Sequence, residues 1–185
     1  MAEGRRILWF SPERRGLIPL DERFHIPRRL RAALRKHPFE VRVDTDFPAT
    51  MRGCADREST WIDDRIIDAY TTLHTLGCAH SIECWDDDGL QGGLYGVALG
   101  GAFFGESMFS RKTNGSKTAL VVTNAILRTC GFTIFDTQWL TDHLRQFGAF
   151  ELHREDYLDL LDQALEVQPN FDPGMIPSSY PDMMI

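Results

Sequence analysis

The chain has 185 residues, of which 43% are hydrophobic and 25% charged, enough to bury a core and ordinary for a globular protein of one domain with at most a small annex. No apolar run approaches the roughly 18 residues that a membrane helix needs, and MAEGRRILWF lacks the long apolar centre of a secretory leader, so the cytoplasm is expected. A net charge of −7 argues against tight non-specific nucleic-acid binding.

The average hides an asymmetry. Residues 1–60 carry 13 Lys/Arg against 9 Asp/Glu, whereas residues 61–185 carry 7 against 18. A nucleic-acid partner is therefore expected against the N-terminal third, and a cationic partner against the remainder.

Residues 1–24 read as an extended, turn-rich entry in which Pro12 and Pro19 interrupt periodicity and Trp9, Phe10, Leu17, Ile18 and Leu20 are apolar anchors. Pro27 suits the first turn of a helix. In PRRLRAALRKH, Leu30, Ala33 and Leu34 share one side, and Arg28, Arg29, Arg31, Arg35 and Lys36 crowd the rest. Phe39 to Asp44 alternates as a strand, and FPATMRGCA makes a short helix at best. Thr60 is the expected N-cap of the next helix, with Asp63 in the capping-box position. Trp61, Ile62, Ile66, Ala69, Tyr70, Leu73 and Leu76 form its apolar stripe, and Gly77 stops it.

Ala79–Trp85 and Leu90–Leu99 read as strands joined by Asp86-Asp87-Asp88-Gly89, where Asp-Gly is a hairpin signal. Cys78, His80 and Cys84 would share a strand face. Without a Cys-x-x-Cys pair, core packing is expected there in preference to a metal. The four cysteines are too scattered for a disulfide scaffold.

The stretch Leu94–Lys117, LYGVALGGAFFGESMFSRKTNGSK, organises the rest. AFFGESMFS continues the antiparallel run as a third strand. It places Glu106 among Phe103, Phe104, Met108 and Phe109, where an unpaired carboxylate would be costly to bury. Either Glu106 is a solvated hairpin tip or it meets a partner or ligand. Asn114 or Ser116 caps a helix to about Cys130, and Gly131 ends it. Gly115-Ser116-Lys117-Thr118 lacks the Gly-Lys-Thr order of a phosphate loop.

Phe132–Gln138 reads as a buried strand, with Asp136 and Gln138 on one face. A carboxylate beside an amide suits aminolysis of an ester, one group taking a proton or hydrogen bond from the amine and the other orienting the reacting atoms. An Asp that merely caps the loop after the strand is the alternative. A short helix (141–147), a closing strand (150–153) and an amphipathic helix (155–165) complete the core. The tail from Gln168 carries Pro169, Pro173, Pro177 and Pro181 and reads as irregular. The element order is α+β. Residues 1–58 form a basic N-terminal segment, 59–167 the main domain and 168–185 a Pro-rich tail.

GGLYGVALGGAFFGESMFSRKTNGSKTAL resembles the signature of the leucyl/phenylalanyl-tRNA–protein transferases. So do Ile7 to Pro12, Thr60-Trp61-Ile62, the run from Leu73 to Trp85 that includes His80-Ser81-Ile82-Glu83, and Phe135-Asp136-Thr137-Gln138. The resemblance runs to about Leu165. It implies a GNAT-like acyltransferase core and transfer of Leu or Phe from aminoacyl-tRNA to the N-terminal Arg or Lys of acceptor proteins, in the N-degron pathway, by a monomer. It places Asp136, Gln138 and Glu106 in the active site. For the acyl-side pocket it points to Trp61, Leu94, Phe103 and Met108, with Ser110 and Asn114 beside them. Arg28, Arg31, Arg35, Arg111 and Lys117 are the expected tRNA contacts.

The acyl donor is already an activated ester, so neither metal nor cofactor is expected. Members of that family usually carry a further N-terminal domain ending in a GIFPW-like segment, which the chain is expected to lack, together with the aromatic group it supplies. Thr137 stands where Cys is frequent, and the Pro-rich tail is unlike the usual end. Two other readings are a non-catalytic aminoacyl-tRNA or N-degron binding module and a coenzyme A-dependent N-acyltransferase. The latter rests on Arg111-x-x-Asn114-Gly115-Ser116, in which Asn114 would crowd a phosphate-binding loop.

Overall fold

The computed structural model describes residues 2–3, 6–7, 10–172 and 174. The expectations that fall on Trp9, Pro173, Pro177 and Pro181 lie outside them. Two short strands, β1 (Ala2–Glu3) and β2 (Arg6–Ile7), pair with each other. Everything else is built on one seven-stranded sheet. Its strands are β3 (Arg14–Ile18), β4 (Glu40–Val43), β5 (Ala79–Asp86), β6 (Gly89–Leu99), β7 (Ala102–Ser110), β8 (Ile134–Gln138) and β9 (Phe150–His153). They lie in the order β4-β5-β6-β7-β8-β3-β9. All neighbours are antiparallel except β7 and β8. The α+β expectation holds.

The helices are α1 (Arg28–Leu34), α2 (Phe47–Ala55), α3 (Asp64–Thr75), α4 (Gly115–Cys130), α5 (Asp142–Arg145) and α6 (Arg154–Leu165). On one face of the sheet, Leu30 and Leu34 of α1 and Ala119, Leu120, Val122, Ile126 and Leu127 of α4 pack with Ile82, Leu94, Phe103 and Phe135. On the other face, α2 and α3 cover Tyr95 and Phe109, and Tyr157 and Ala164 of α6 cover Ala102 and Ile134.

Three local features differ from the expectations. The third helix is capped by Asp63, whose carboxylate accepts from the Ile66 amide at 3.1 Å, and not by Thr60. Thr60 instead turns the chain before the helix by accepting from Ile62, so Trp61 and Ile62 precede α3. FPATMRGCA is a full two-turn helix, capped by Asp46 and with Pro48 in its first turn. Within the extended, turn-rich entry, residues 14–18 form a full strand of the sheet, wedged between β8 and β9.

Cys78, His80 and Cys84 are not one cluster. Cys78 precedes β5, the Cys84 thiol faces the Gly115 carbonyl at 3.4 Å, and His80 binds Asp44 at 2.7 Å and stacks on Phe171 of the tail. Among the described residues no group of three His, Cys, Asp or Glu side chains stands ready for a metal, and no helix is long and apolar enough to cross a membrane. Glu83, fully buried, accepts from Ser81 Oγ (2.8 Å), Trp85 Nε1 (2.9 Å) and the Asp46 amide (2.8 Å). It ties the start of α2 to the sheet.

Candidate active site

The parallel pair at the centre of the sheet holds for only three rungs, Ala102–Ile134, Phe103–Phe135 and Phe104–Asp136. Beyond them β7 and β8 separate, and a cavity of about 100 Å3 opens in the gap. Leu94, Gly105, Glu106, Ser107, Met108, Leu120, Phe135, Thr137, Gln138 and Leu144 line it. Its floor is apolar, supplied by the core around α4, and its polar groups come from the two separating strands.

A register shift on β7 determines where Glu106 points. Tyr95 opposes Ser107 and Gly96 opposes Gly105, so Glu106 is the extra residue of a β-bulge. The bulge resets the alternation. Met108 stays on the α4 face, whereas Ser107 accepts from Arg57 and Glu106 meets Tyr70 of α3 on the opposite face. Burial raises the proton affinity of Glu106 most. The Tyr70 hydrogen bond opposes that rise, and the neighbouring Asp136 charge adds to it.

Asp136 lies behind the cavity, on the α6 side, with no solvent exposure. Oδ1 accepts the Gln138 amide at 2.6 Å. Oδ2 accepts both Arg15 Nε at 2.8 Å and the Tyr157 hydroxyl at 2.5 Å. The Arg15 guanidinium also lies 5.0 Å over the Tyr157 ring. A buried carboxylate needs such partners, and here they come from β3 and α6. Gln138 adopts a left-handed backbone, φ 59°, a conformation that costs a residue with a side chain about 1–3 kcal/mol unless its surroundings impose it. With its side-chain amide assigned so that the nitrogen faces the carbonyls of Gly105 and Thr137, each 3.1 Å away, Gln138 bridges the gap between β7 and β8.

Of the expected site residues, Glu106, Gln138, Leu94 and Met108 therefore meet at one cavity. Asp136 touches it only through Gln138. Phe103 is fully buried and packs edge-on against Phe132 and Phe135, in the core beside the cavity and not on its wall. Trp61 packs against the α2–α3 core. Ser110 donates to the Lys112 carbonyl (2.7 Å) and accepts the Ser116 amide (3.2 Å), pinning the start of α4. Asn114 is the left-handed N-cap of that helix, φ 72°, without a side-chain capping bond. Arg28 and Arg35 are exposed on α1, and Arg31 is half-buried. Arg111 is tethered to the Leu90 carbonyl at 3.0 Å and lies over Phe109, while the Lys117 charge reaches His143 and, after burial, lowers its proton affinity.

The sequence-based site lacked Arg15, Tyr70 and Tyr157. Tyr70 reads as part of the α3 stripe, and Arg15 lies in the extended, turn-rich entry. Tyr157 shares its helix with many acidic residues and Leu, and only the fold brings it to Asp136.

The loop between β7 and α4 matters for the coenzyme A reading. The amides of Arg111 and Lys112 donate to the Gln91 carbonyl, that of Gly115 to Lys112, and that of Ser116 to Ser110 Oγ. Those four amides are already engaged within the loop and its neighbours. A pyrophosphate cradle would need such groups unpaired.

Comparison with known proteins places this arrangement among relatives. The leucyl/phenylalanyl-tRNA protein transferase family matches residues 17–162. The enzyme of that name from Akkermansia muciniphila is 55% identical over 169 residues, spanning 90% of this chain and 88% of the relative. Those from Paramagnetospirillum magneticum and a Jannaschia species are 53% and 51% identical, spanning 81% and 80% of their own lengths and 90% and 92% of this chain. Among solved structures, an aminoglycoside acetyltransferase from an uncultured soil metagenomic sample, in complex with sisomicin, aligns with a TM-score of 0.45 at 11% identity, over 74% of this chain and 93% of that one.

Proposed function

The chain belongs to the leucyl/phenylalanyl-tRNA–protein transferase family, and from that premise we propose that it moves Leu or Phe from aminoacyl-tRNA to the N-terminal Arg or Lys of an acceptor protein. The observation that carries this reading is the apolar cavity in the gap between β7 and β8, walled by Glu106 and Gln138. At about 100 Å3 it lies below the roughly 300 Å3 of small-molecule sites and suits one aliphatic or aromatic side chain.

With the acyl side chain seated on Leu94, Met108, Leu120 and Leu144, the ester carbonyl stands at the rim, beside Gln138. The α-amine of the acceptor attacks the carbonyl carbon, a C–N bond forms, the ester C–O bond to the terminal ribose breaks, and the tRNA leaves as its hydroxyl. The proton lost by the amine balances the one gained by the ribose oxygen. Glu106, with its raised proton affinity, is suited to accept it or to pair with the cationic acceptor. Most of the acceleration is positioning, since the donor is already activated. Asp136 is in this reading a support for Gln138. Exposed Arg28 and Arg35 offer charge to tRNA phosphates, with Arg31, Arg111 and Lys117 as lesser contributors.

The test is transfer of radioactive leucine from Leu-tRNA to a peptide beginning with Arg or Lys. Incorporation into acid-insoluble product is expected. Binding of Leu-tRNA with no transfer would identify a binding module instead.

A further inference from the structure

Gln138 is one of two polar residues of β8 that line the cavity, with Thr137, and its placement depends on a left-handed backbone in a residue with a side chain. Such a conformation persists where neighbours impose it. The contact that imposes it is the 2.6 Å hydrogen bond from the Gln138 amide to Asp136 Oδ1. Asp136 is itself held from two other elements. Arg15 of β3 and Tyr157 of α6 converge on Oδ2, at 2.8 and 2.5 Å. The two also contact each other through the Arg15 guanidinium above the Tyr157 ring.

The backbone adds a second constraint from the same strand. Gly16 pairs with Gln138 at a register shift, and a Cβ there would fall 2.7 Å from the backbones of Trp139 and Leu140. Thr137 Oγ1 donates to the Gly16 carbonyl at 3.2 Å. The turn at Gln138 is therefore gripped from β3 on both sides, by Arg15 through Asp136 and by Gly16 directly. Stability alone does not call for this arrangement, because a buried ion pair is commonly replaceable by packed apolar side chains without loss. What an apolar pair could not supply is an acceptor for the Gln138 amide.

We infer that Arg15 and Tyr157 are positioning residues: acting through Asp136, they fix the Gln138 turn and so set where its side-chain amide stands at the rim of the cavity. This rests on the transferase reading above for its catalytic consequence, though not for its geometry.

The variants are Tyr157→Phe, which keeps the ring beneath Arg15, and Arg15→Met, each made alone and in an Asp136→Asn background. Thermal melting confirms folding. Single-turnover transfer of leucine to an Arg-initiated peptide should fall about tenfold in each single variant, with the Kd for Leu-tRNA changed by less than about twofold. In the Asp136→Asn background neither variant should slow the reaction further, because the three residues act as one unit. Full multiplication of the losses in that background would overturn the inference, as would a loss confined to the Kd. Nuclear magnetic resonance of the Gln138 backbone amide gives a readout independent of activity. Its resonance should move and its exchange quicken in Tyr157→Phe, and an unmoved, equally protected amide would refute the positioning role. If the wild-type chain transfers nothing, the transferase reading fails, and the Gln138 amide alone decides the geometric claim.

Discussion

Tyr70 on α3 acts on the Glu106 carboxylate of the β7 bulge to lower its proton affinity, and yet that affinity is raised above the ordinary carboxylate value. Burial outweighs the hydrogen bond, and the charge of Asp136 works in the same direction as burial. A folded-state proton affinity above the unfolded one stabilises the fold below the unfolded value of a glutamate, and that contribution is lost as pH rises through the folded value. Glu106→Gln should therefore melt near the wild-type temperature at about pH 4 and progressively above it as pH rises toward neutrality. A melting difference that does not vary with pH would mean the carboxylate is not energetically buried.

The same substitution should separate the two substrates. Glu106→Gln is expected to raise the KM for an Arg-initiated peptide by about tenfold or more, since one partner of a partly desolvated charge pair is removed. The Kd for Leu-tRNA should stay within about twofold. Equal loss in both would assign Glu106 to the architecture of the site.

Asp136→Asn places an amide where three donors converge. Transfer should drop at least tenfold, in line with loss of a group that orders the site. Stability should fall by about 1–3 kcal/mol, because a buried donor is left without its acceptor. Urea denaturation checks the second figure, and a fully active variant of wild-type stability would refute both.

Met108 and Phe103 lie on the same strand but do different things. Met108→Ala enlarges the cavity wall and should shift the ratio of Phe to Leu transfer toward Phe, by about tenfold for a contact of this size. Phe103→Ala should leave that ratio alone and cost about 3–5 kcal/mol, as expected for an emptied core site. Competition between Phe-tRNA and Leu-tRNA measures the first, and chemical denaturation the second.

Charge reversal at exposed Arg28 and Arg35 should weaken aminoacyl-tRNA binding and flatten its dependence on salt by about one counterion per lost phosphate contact. Arg31, half-buried with its Nε unpaired, should perturb α1 itself when replaced. A salt slope unchanged in the double variant would make α1 a solvated face.

Much of the fold was legible because its signals are local. The Asp-Gly hairpin, the glycine stops at Gly77 and Gly131 and the apolar stripe of α4 all use neighbours within a few residues, and all are present. The misread cap shows the limit of such signals, since Thr60 and Asp63 are both competent and only packing selects between them. β3 was hidden because Arg14 and Arg15 interrupt its apolar pattern and prolines lie close on either side. The purpose of Arg15 lies 121 positions away. The bulge was half legible: the glycines of this stretch suggest one, but nothing in AFFGESMFS marks Glu106 as the residue where the alternation slips. The acid itself could be singled out, but not the tyrosine it would meet.

The position of β3 also bears on how the molecule comes to be folded. It is an early strand of the chain, yet both of its partners, β8 and β9, belong to the last third, and β9 is attached to the sheet through β3 alone. During synthesis β3 must remain unpaired while more than a hundred further residues are made, as strands β4 to β7 assemble from neighbours closer in sequence. Closing so long a loop costs more entropy than any hairpin in the sheet, so this pairing is expected to lag in folding. Until it closes, Arg15 is not beside Asp136 and the turn at Gln138 lacks both of its holds from β3. A nascent or partly unfolded chain can thus own much of its core while the cavity wall at Gln138 is still unfinished.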